Sequence, residues 1–230
     1  LQAGAMELVY LGLIFVLLLV PRVLQRFRIP SPLTTFSLGL AAGLLVPALL
    51  ISGYSWFKQY TEDIKKQTQE LLQQNAIERV LDVRTFPRSR RNPHFNIDLL
   101  PGSLAEVGIN HTHLPALGGR RRTSDESPNK AWRNASFRGY ADHMQSAEFR
   151  ENVDWVAQQA QSELCVLMCA EAVPWRCHRS LIGDALLVRG IAVEDIIGPG
   201  ARRPHTLTSF AKVDGTTIIY PPIAEQTELF

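Results

Sequence analysis

An α/β fold, a three-layer sandwich with a largely parallel sheet, is predicted by three features of the sequence. Short apolar runs alternate with amphipathic stretches from about residue 48 onward. The run Leu164 to Met168 suits a strand buried on both faces, and Leu181, Ile182, Ala185 and Leu186 follow it at helical spacing. An apolar helical hairpin is expected before this fold over residues 1–47, the α/β domain itself over 48–222, and a polar tail over 223–230.

The 230 residues are 46% hydrophobic and 20% charged, a globular balance with enough apolar material for a sizeable core. The net charge of +2 conceals arginine clusters at Arg84 to Arg91, Arg120 to Arg122, Arg133 to Arg138 and Arg202 to Arg203. Those clusters, more than the total, bear on partners. Three cysteines, two of them close together beside a histidine, do not make a disulfide framework and point to a reducing compartment.

Leu8 to Val20 is uninterrupted apolar sequence, followed by Pro21, the basic residues Arg22, Arg26 and Arg28, and a second apolar run from Leu33 to Ile51. A span needs roughly 20 apolar residues, so the first run is short and the second just adequate. The pattern reads as a hairpin in contact with a membrane through residues 8–50, with two buried helices of a larger core as the alternative. The stretch MELVYLGLIFVLLLVPRVLQRFRIPSPLTTFSLGLAAG, Met6 to Gly43, resembles the start of a monovalent cation:proton antiporter. No acidic residue lies between Leu8 and Trp56, so the buried carboxylate that proton exchange needs is missing, and ion transport is not expected. The basic loop would hold the rest of the chain outside, whereas Lys58, Lys65 and Lys66 and the thiols argue for the cytoplasm. Conflicting signals, with Leu1 where an initiator would stand and Met6 after it, read as a fusion or an arbitrary start. The α/β domain is expected in the cytoplasm, tethered to the membrane only if the hairpin is native.

Ala48 to Ile51 reads as a first strand ending in the turn Gly53-Tyr54-Ser55, and Phe57 to Asn75 as an amphipathic surface helix. Ile77 to Val83 is a second strand. It opens at Asp82-Val83-Arg84 into TFPRSRRNPHFN, where Pro87 and Pro93 forbid regular structure and leave Arg88, Arg90, Arg91 and His94 on an exposed loop. A helix from Asp98 to Glu106 is capped by Gly108, and Ile109 to Leu114 is a strand carrying His111 and His113 on one face. Leu117-Gly118-Gly119 permits close backbone approach, and Arg120 to Arg122 add positive field. In AWRNASFRGYADHM, Trp132, Phe137 and Tyr140 alternate with Arg133 and Arg138; they either stack a base or close the core. Ala147 to Gln161 is helical, Gly190 ends the helix after His178, and strands follow at Val193 to Ile197 and Thr216 to Tyr220. There is no internal repeat.

Chemistry concentrates in LCVLMCAEAVPWRCHRSLIGDALL, Leu164 to Leu187. Cys169 leaves the strand's carboxyl end, where α/β sheets bind ligands, and Glu171, Arg176, Cys177, His178 and Arg179 lead into a helix start. Helix N–H groups and guanidinium groups favour an anion and lower a thiol's pKa.

LDVRTFPRSRRNPHFN, HLPALGGRRR, WRNASFRGYADHMQ and CAEAVPWRCHRSLIGDALL, in that order, resemble the domain of unknown function 488 family from about Ile51 to Tyr220. Asp82, Arg84, Pro87, Arg91, Pro93 and Phe95 correspond to its first motif, and Cys169, Glu171, Cys177, His178 and Arg179 to its last. The resemblance implies a fold and a site, and supplies no reaction.

Two functions from different classes are expected of such a chain. In the first, Arg84, Arg88, Arg91, Arg176 and Arg179 hold a phosphorylated or nucleotide-like anion. Cys169 or Cys177 is then the nucleophile or redox thiol, and Glu171 or His178 the proton carrier. In the second, the arginine loops contact nucleic-acid phosphates and Trp132 or Tyr140 stacks a base, without catalysis. No cofactor is required by either. Zinc on Cys169, Cys177 and His178 would need a fourth ligand such as His94 or His113.

Overall fold

The structure, a computed structural model, describes residues 31–222, with side chains from residue 52 onward. The chain divides into two units, residues 1–62 and 63–230. Helix α1 (Ser31–Gln74) takes in the second apolar run and the amphipathic stretch after it. The strand expected at Ala48 to Ile51 is therefore helix, and Gly53 lies inside it. One glycine costs a helix interior about 1 kcal/mol, too little to break so long a run of favourable neighbours. Among the described residues no helix is long and apolar enough to cross a membrane. The first limb of the expected hairpin, Leu8 to Val20, and most of the antiporter-like stretch lie outside the described residues, as does the tail at 223–230.

Within the second unit, β1 (Arg79–Asp82) is the central strand of a parallel sheet, flanked by β2 (Asn110–His113) and β3 (Cys165–Met168). Asp82 lies opposite both His113 and Met168, so the three strands end level with one another. Apolar side chains leave β1 on alternate faces, as a period of two requires. Val80 joins Leu72, Leu100, Leu104 and Ile109 on one side, whereas Leu81 and Val83 join Tyr140, Phe149, Val153, Leu181 and Ile182 on the other. The same alternation sorts β3: Val166 and Met168 pack against the first cluster, and Cys165, Leu167 and Cys169 against the second. Cys169 is thus directed to the face covered by the later helices.

β3 is not buried on both faces as its composition suggests. It is an edge strand whose four residues are all half-buried, and Leu164 just before it is 46% exposed. The strand sealed on both sides is β1, where Val80 and Leu81 are at most 1% exposed. An apolar run alone does not distinguish centre from edge.

Helix α2 (Leu100–Ala105) precedes β2, and α3 (Ala135–His143) and α4 (Ala147–Gln159) lie between β2 and β3. The start of α3 is set by Asn134, whose side chain accepts from Ser136 N at 2.8 Å; that of α4 by Ser146, accepting from Phe149 N at 3.1 Å. Helix α5 (Arg179–Leu187) follows β3. The last strands do not extend the parallel sheet: β4 (Glu194–Gly198) pairs antiparallel with β5 (Ala201–Pro204), and β6 (Lys212–Asp214) with β7 (Thr217–Ile219). At the first of these turns Gly200 has φ +67°, which admits glycine freely and other residues at a cost.

Candidate functional site

Strand β3 ends at Met168 and α5 begins at Arg179, and the loop between them folds back through a short 3₁₀ turn, Pro174–Arg176. That turn returns Cys177 and His178 to the strand end. His178 Nδ1 is 3.6 Å from Cys177 Sγ and 4.0 Å from Cys169 Sγ, while its Nε2 is 3.2 Å from the carbonyl oxygen of Val83. A carbonyl only accepts, so Nε2 carries a proton, and Nδ1 faces the two sulfurs. Arg179 donates from Nε to Cys177 Sγ at 3.4 Å and from Nη2 to the carbonyl oxygen of Glu171.

The two thiols share their protons unequally. The Cys177 thiol is pushed down, first by a hydrogen bond from Cys169, then against burial by His178 and the backbone N–H of Arg179. Cys169 is pushed up, by that same bond and by burial. Cys177, which also accepts from Arg179 Nε, is accordingly the more acidic of the pair.

These groups open on a pocket of about 160 Å³ lined by Gly119, Ser136, Phe137, Cys169, Glu171, Arg176, Cys177 and His178. Gly119 is there because nothing larger fits: a Cβ at that position would lie 2.4 Å from His178 Nδ1. Gly118 is equally close to the first loop, with Thr85 Oγ1 2.4 Å from where its Cβ would stand. The close approach foreseen for this glycine pair is thus the packing of one loop against two others.

The expected arginines do not all converge. Arg176 lines the pocket and Arg179 touches its sulfur. Arg84 is buried and bound to Asp82, with Nε to Oδ1 at 2.7 Å and Nη2 to Oδ2 at 2.6 Å, and Nη2 also donates to Phe95 O at 2.8 Å. It ties the first loop to the end of β1 instead of facing a ligand. Burial alone would raise Asp82, but the hydrogen bonds from Arg84, with the imidazole of His111 nearby, outweigh it and hold the carboxyl at about 2. Arg88 and Arg91 are exposed on the Thr85 to Asn96 loop and do not line the pocket, nor does His94, whose ring tilts against Phe95 at 4.3 Å.

The histidine pair of β2 serves the same strand end. His113 Nε2 is 2.8 Å from Arg84 O, and His111 Nε2 is 3.6 Å from Asp82 Oδ2, within ion-pair reach but longer than a hydrogen bond. Tyr140 is fully buried, with its hydroxyl donating to Leu117 O at 2.9 Å and its ring 5.0 Å from that of His178. It supports the site from beneath and has no face to offer a base. Trp132 is half-buried among Phe137, Phe210 and Tyr220, which is the core-closing role.

Sequence reasoning missed a second polar cluster, carried by the middle of α5. Asp184 is completely buried; Oδ1 accepts from His205 Nε2 at 3.0 Å and Thr208 N at 3.1 Å, and Oδ2 from the Tyr220 hydroxyl at 2.8 Å. His205 is held above its ordinary range, chiefly by the Asp184 hydrogen bond, against burial and with the charges of Asp184 and Asp195 adding to it. Phe137, expected to stack a base or close the core, lines the pocket wall; Ser136 beside it was missed, its signal being the capping residue Asn134 just before.

A larger cavity, about 840 Å³, lies along β3 and is lined mainly by apolar groups. Its charged rim is already paired, Arg202 with Asn75 at 2.7 Å and Glu194 at 3.4 Å, and Glu163 with Arg79 at 2.6 Å. The smaller pocket is where reactive groups meet.

A family model described as Domain of unknown function DUF488 matches residues 63–186, more than half of the chain. No curated protein and no solved structure matches the chain. The matched segment holds both loops of the pocket and most of α5, while His205, Thr208 and Tyr220 lie beyond it.

Proposed function

This chain belongs to the DUF488 family, and we propose that its strand-end pocket binds the oxyanion end of a phosphorylated or nucleotide-like molecule beside a reactive thiolate. The observation that carries the reading is the meeting of Cys169, Glu171, Arg176, Cys177 and His178 around about 160 Å³. That is room for a phosphate-sized head group, and well below the roughly 300 Å³ at which pockets for whole drug-sized ligands begin. The remainder of such a molecule would lie outside the pocket, over the exposed Trp175 and Arg176.

Arg176 supplies the charge and directional N–H donors that an oxyanion needs, and Arg179 holds Cys177 in place while adding to the positive field. Cys177 is the reactive sulfur, Cys169 keeps the shared proton, and His178 Nδ1 stands beside both. Arg84 has no part in holding the anion in this reading, because Asp82 already occupies it.

The test is calorimetric titration of the full chain with inorganic phosphate and with nucleoside monophosphates. Saturable binding that Arg176→Ala weakens about tenfold, the loss of one charge-assisted contact, supports the reading. Anion also slows alkylation of Cys177 if the two share the pocket. Absence of any binding up to about 10 mM phosphate, an affinity weaker than about 3 kcal/mol, would falsify it.

A further inference from the structure

We infer that Cys169, Cys177 and His178 are the three protein ligands of a zinc ion whose fourth position faces the pocket. The Sγ atoms of both cysteines and the ring nitrogen of His178 all lie within 4.8 Å of one another. Tetrahedral zinc with its usual bond lengths sets sulfur and nitrogen about 3.5 Å apart, and two sulfurs about 3.8 Å apart. The 3.6 Å and 4.0 Å separations from Nδ1 need only a slight contraction to meet that figure.

The second requirement is an oriented imidazole. Metal-bound histidines commonly donate their other N–H to a carbonyl or carboxylate, which fixes the ring and aims the free lone pair. His178 does this through Nε2 to Val83 O at 3.2 Å, with Gly119 packed against the ring and the tilted Tyr140 ring 5.0 Å away. Two sulfurs and an imidazole favour zinc over magnesium or calcium, which take oxygen ligands.

No fourth protein ligand joins them among the described residues. His113, one residue expected to complete the set, is turned to Arg84 O at 2.8 Å. Three protein ligands with one open position is the arrangement of catalytic zinc sites, in which water or a substrate oxygen is the fourth. Cys169 gives up its proton to solvent as the metal binds, and the two thiolates then cancel the charge of the ion, so Arg176 and Arg179 still leave the pocket positive for an oxyanion. Ligand geometry alone supports the metal, which goes beyond the anion reading, since neither zinc nor anion needs the other in order to bind.

The experiment is elemental analysis of the purified full chain, followed by removal of metal with a chelator under reducing conditions and titration with Co²⁺. About one zinc per chain is expected, and Co²⁺ should produce a sulfur-to-cobalt charge-transfer band. Cys177→Ser and His178→Ala should each weaken Co²⁺ binding by at least about 100-fold, with circular dichroism confirming that each variant is folded. The unmutated chain decides the matter even if a variant misfolds. Refusal of both Co²⁺ and Zn²⁺ by reduced wild-type protein, or uptake undiminished in both folded variants, overturns the zinc site. Phosphate binding measured in parallel separates the two ideas: a chain that binds phosphate and refuses metal loses only the zinc, and one that binds metal and ignores phosphate loses only the anion site.

Discussion

Two polar clusters, one in the loop before α5 and one at its middle, are built on opposite terms. Around Asp184, both carboxylate oxygens are met by donors, from His205, Thr208 and Tyr220 at 2.8 to 3.1 Å. Around Cys177, two sulfurs and a ring nitrogen face one another within 4.8 Å at the wall of a pocket. One cluster is closed and holds the fold. The other is open beside a pocket, with its sulfurs and ring nitrogen within reach of a ligand.

Removing each cluster in turn is the strongest way to break this comparison. Asp184→Ala leaves three donors without an acceptor in a completely buried position and should lower stability by about 3–5 kcal/mol in denaturant titration. Cys177→Ser should cost far less. Equal losses would mean that both clusters are structural.

The open cluster has its own probe in Gly119→Ala, whose added methyl would lie 2.4 Å from His178 Nδ1 and must displace the ring. Binding of Co²⁺ should weaken about 10- to 100-fold, as when a supporting residue is lost, with little change in unfolding.

The Asp82–Arg84 pair sharpens the comparison from the other side of the sheet edge. The folded Asp82 carboxyl is at about 2 against 3.8 unperturbed, so the stability it contributes is present above about pH 4 and disappears as pH falls toward 2. A lowering of that size corresponds to roughly 2 kcal/mol of stability at neutral pH. The difference in unfolding free energy between wild type and Asp82→Asn should shrink over that window, and constancy through it would assign the pair no such role.

The smallest effect is that of His205. Its folded pKa is raised, so its contribution is fully present below the unperturbed value of 6.5 and is lost as pH rises through the folded pKa. Comparing wild type with His205→Gln at mildly acidic and mildly alkaline pH should show the larger stability gap in acid.

Much of this architecture was legible in the chain. The strands expected at Ile77 to Val83, Ile109 to Leu114 and Leu164 to Met168 contain β1, β2 and β3, because apolar runs bounded by loops carry that signal. Cys169, Cys177 and His178 were legible as neighbours, since a short loop must bring a helix start back to its strand end. The helix through Ala48 to Ile51 was not, as four apolar residues before a glycine suit either structure. Arg84 looked like a free cation although Asp82 stands two residues earlier, on the same side of an extended chain. The Asp184 cluster was beyond local reading altogether, since its partners lie 21 and 36 residues further on.

Those distant partners have a practical consequence for anyone shortening the chain. His205, Thr208 and Tyr220 grip α5 at its midpoint, while the reactive tip projects from its first turn like the loaded end of a clamped beam. A fragment trimmed to residues 63–186 would retain every pocket side chain and lose that clamp. Its tip should then swing, and a minimal version of the protein should bind poorly for mechanical reasons while all of its chemical groups remain present.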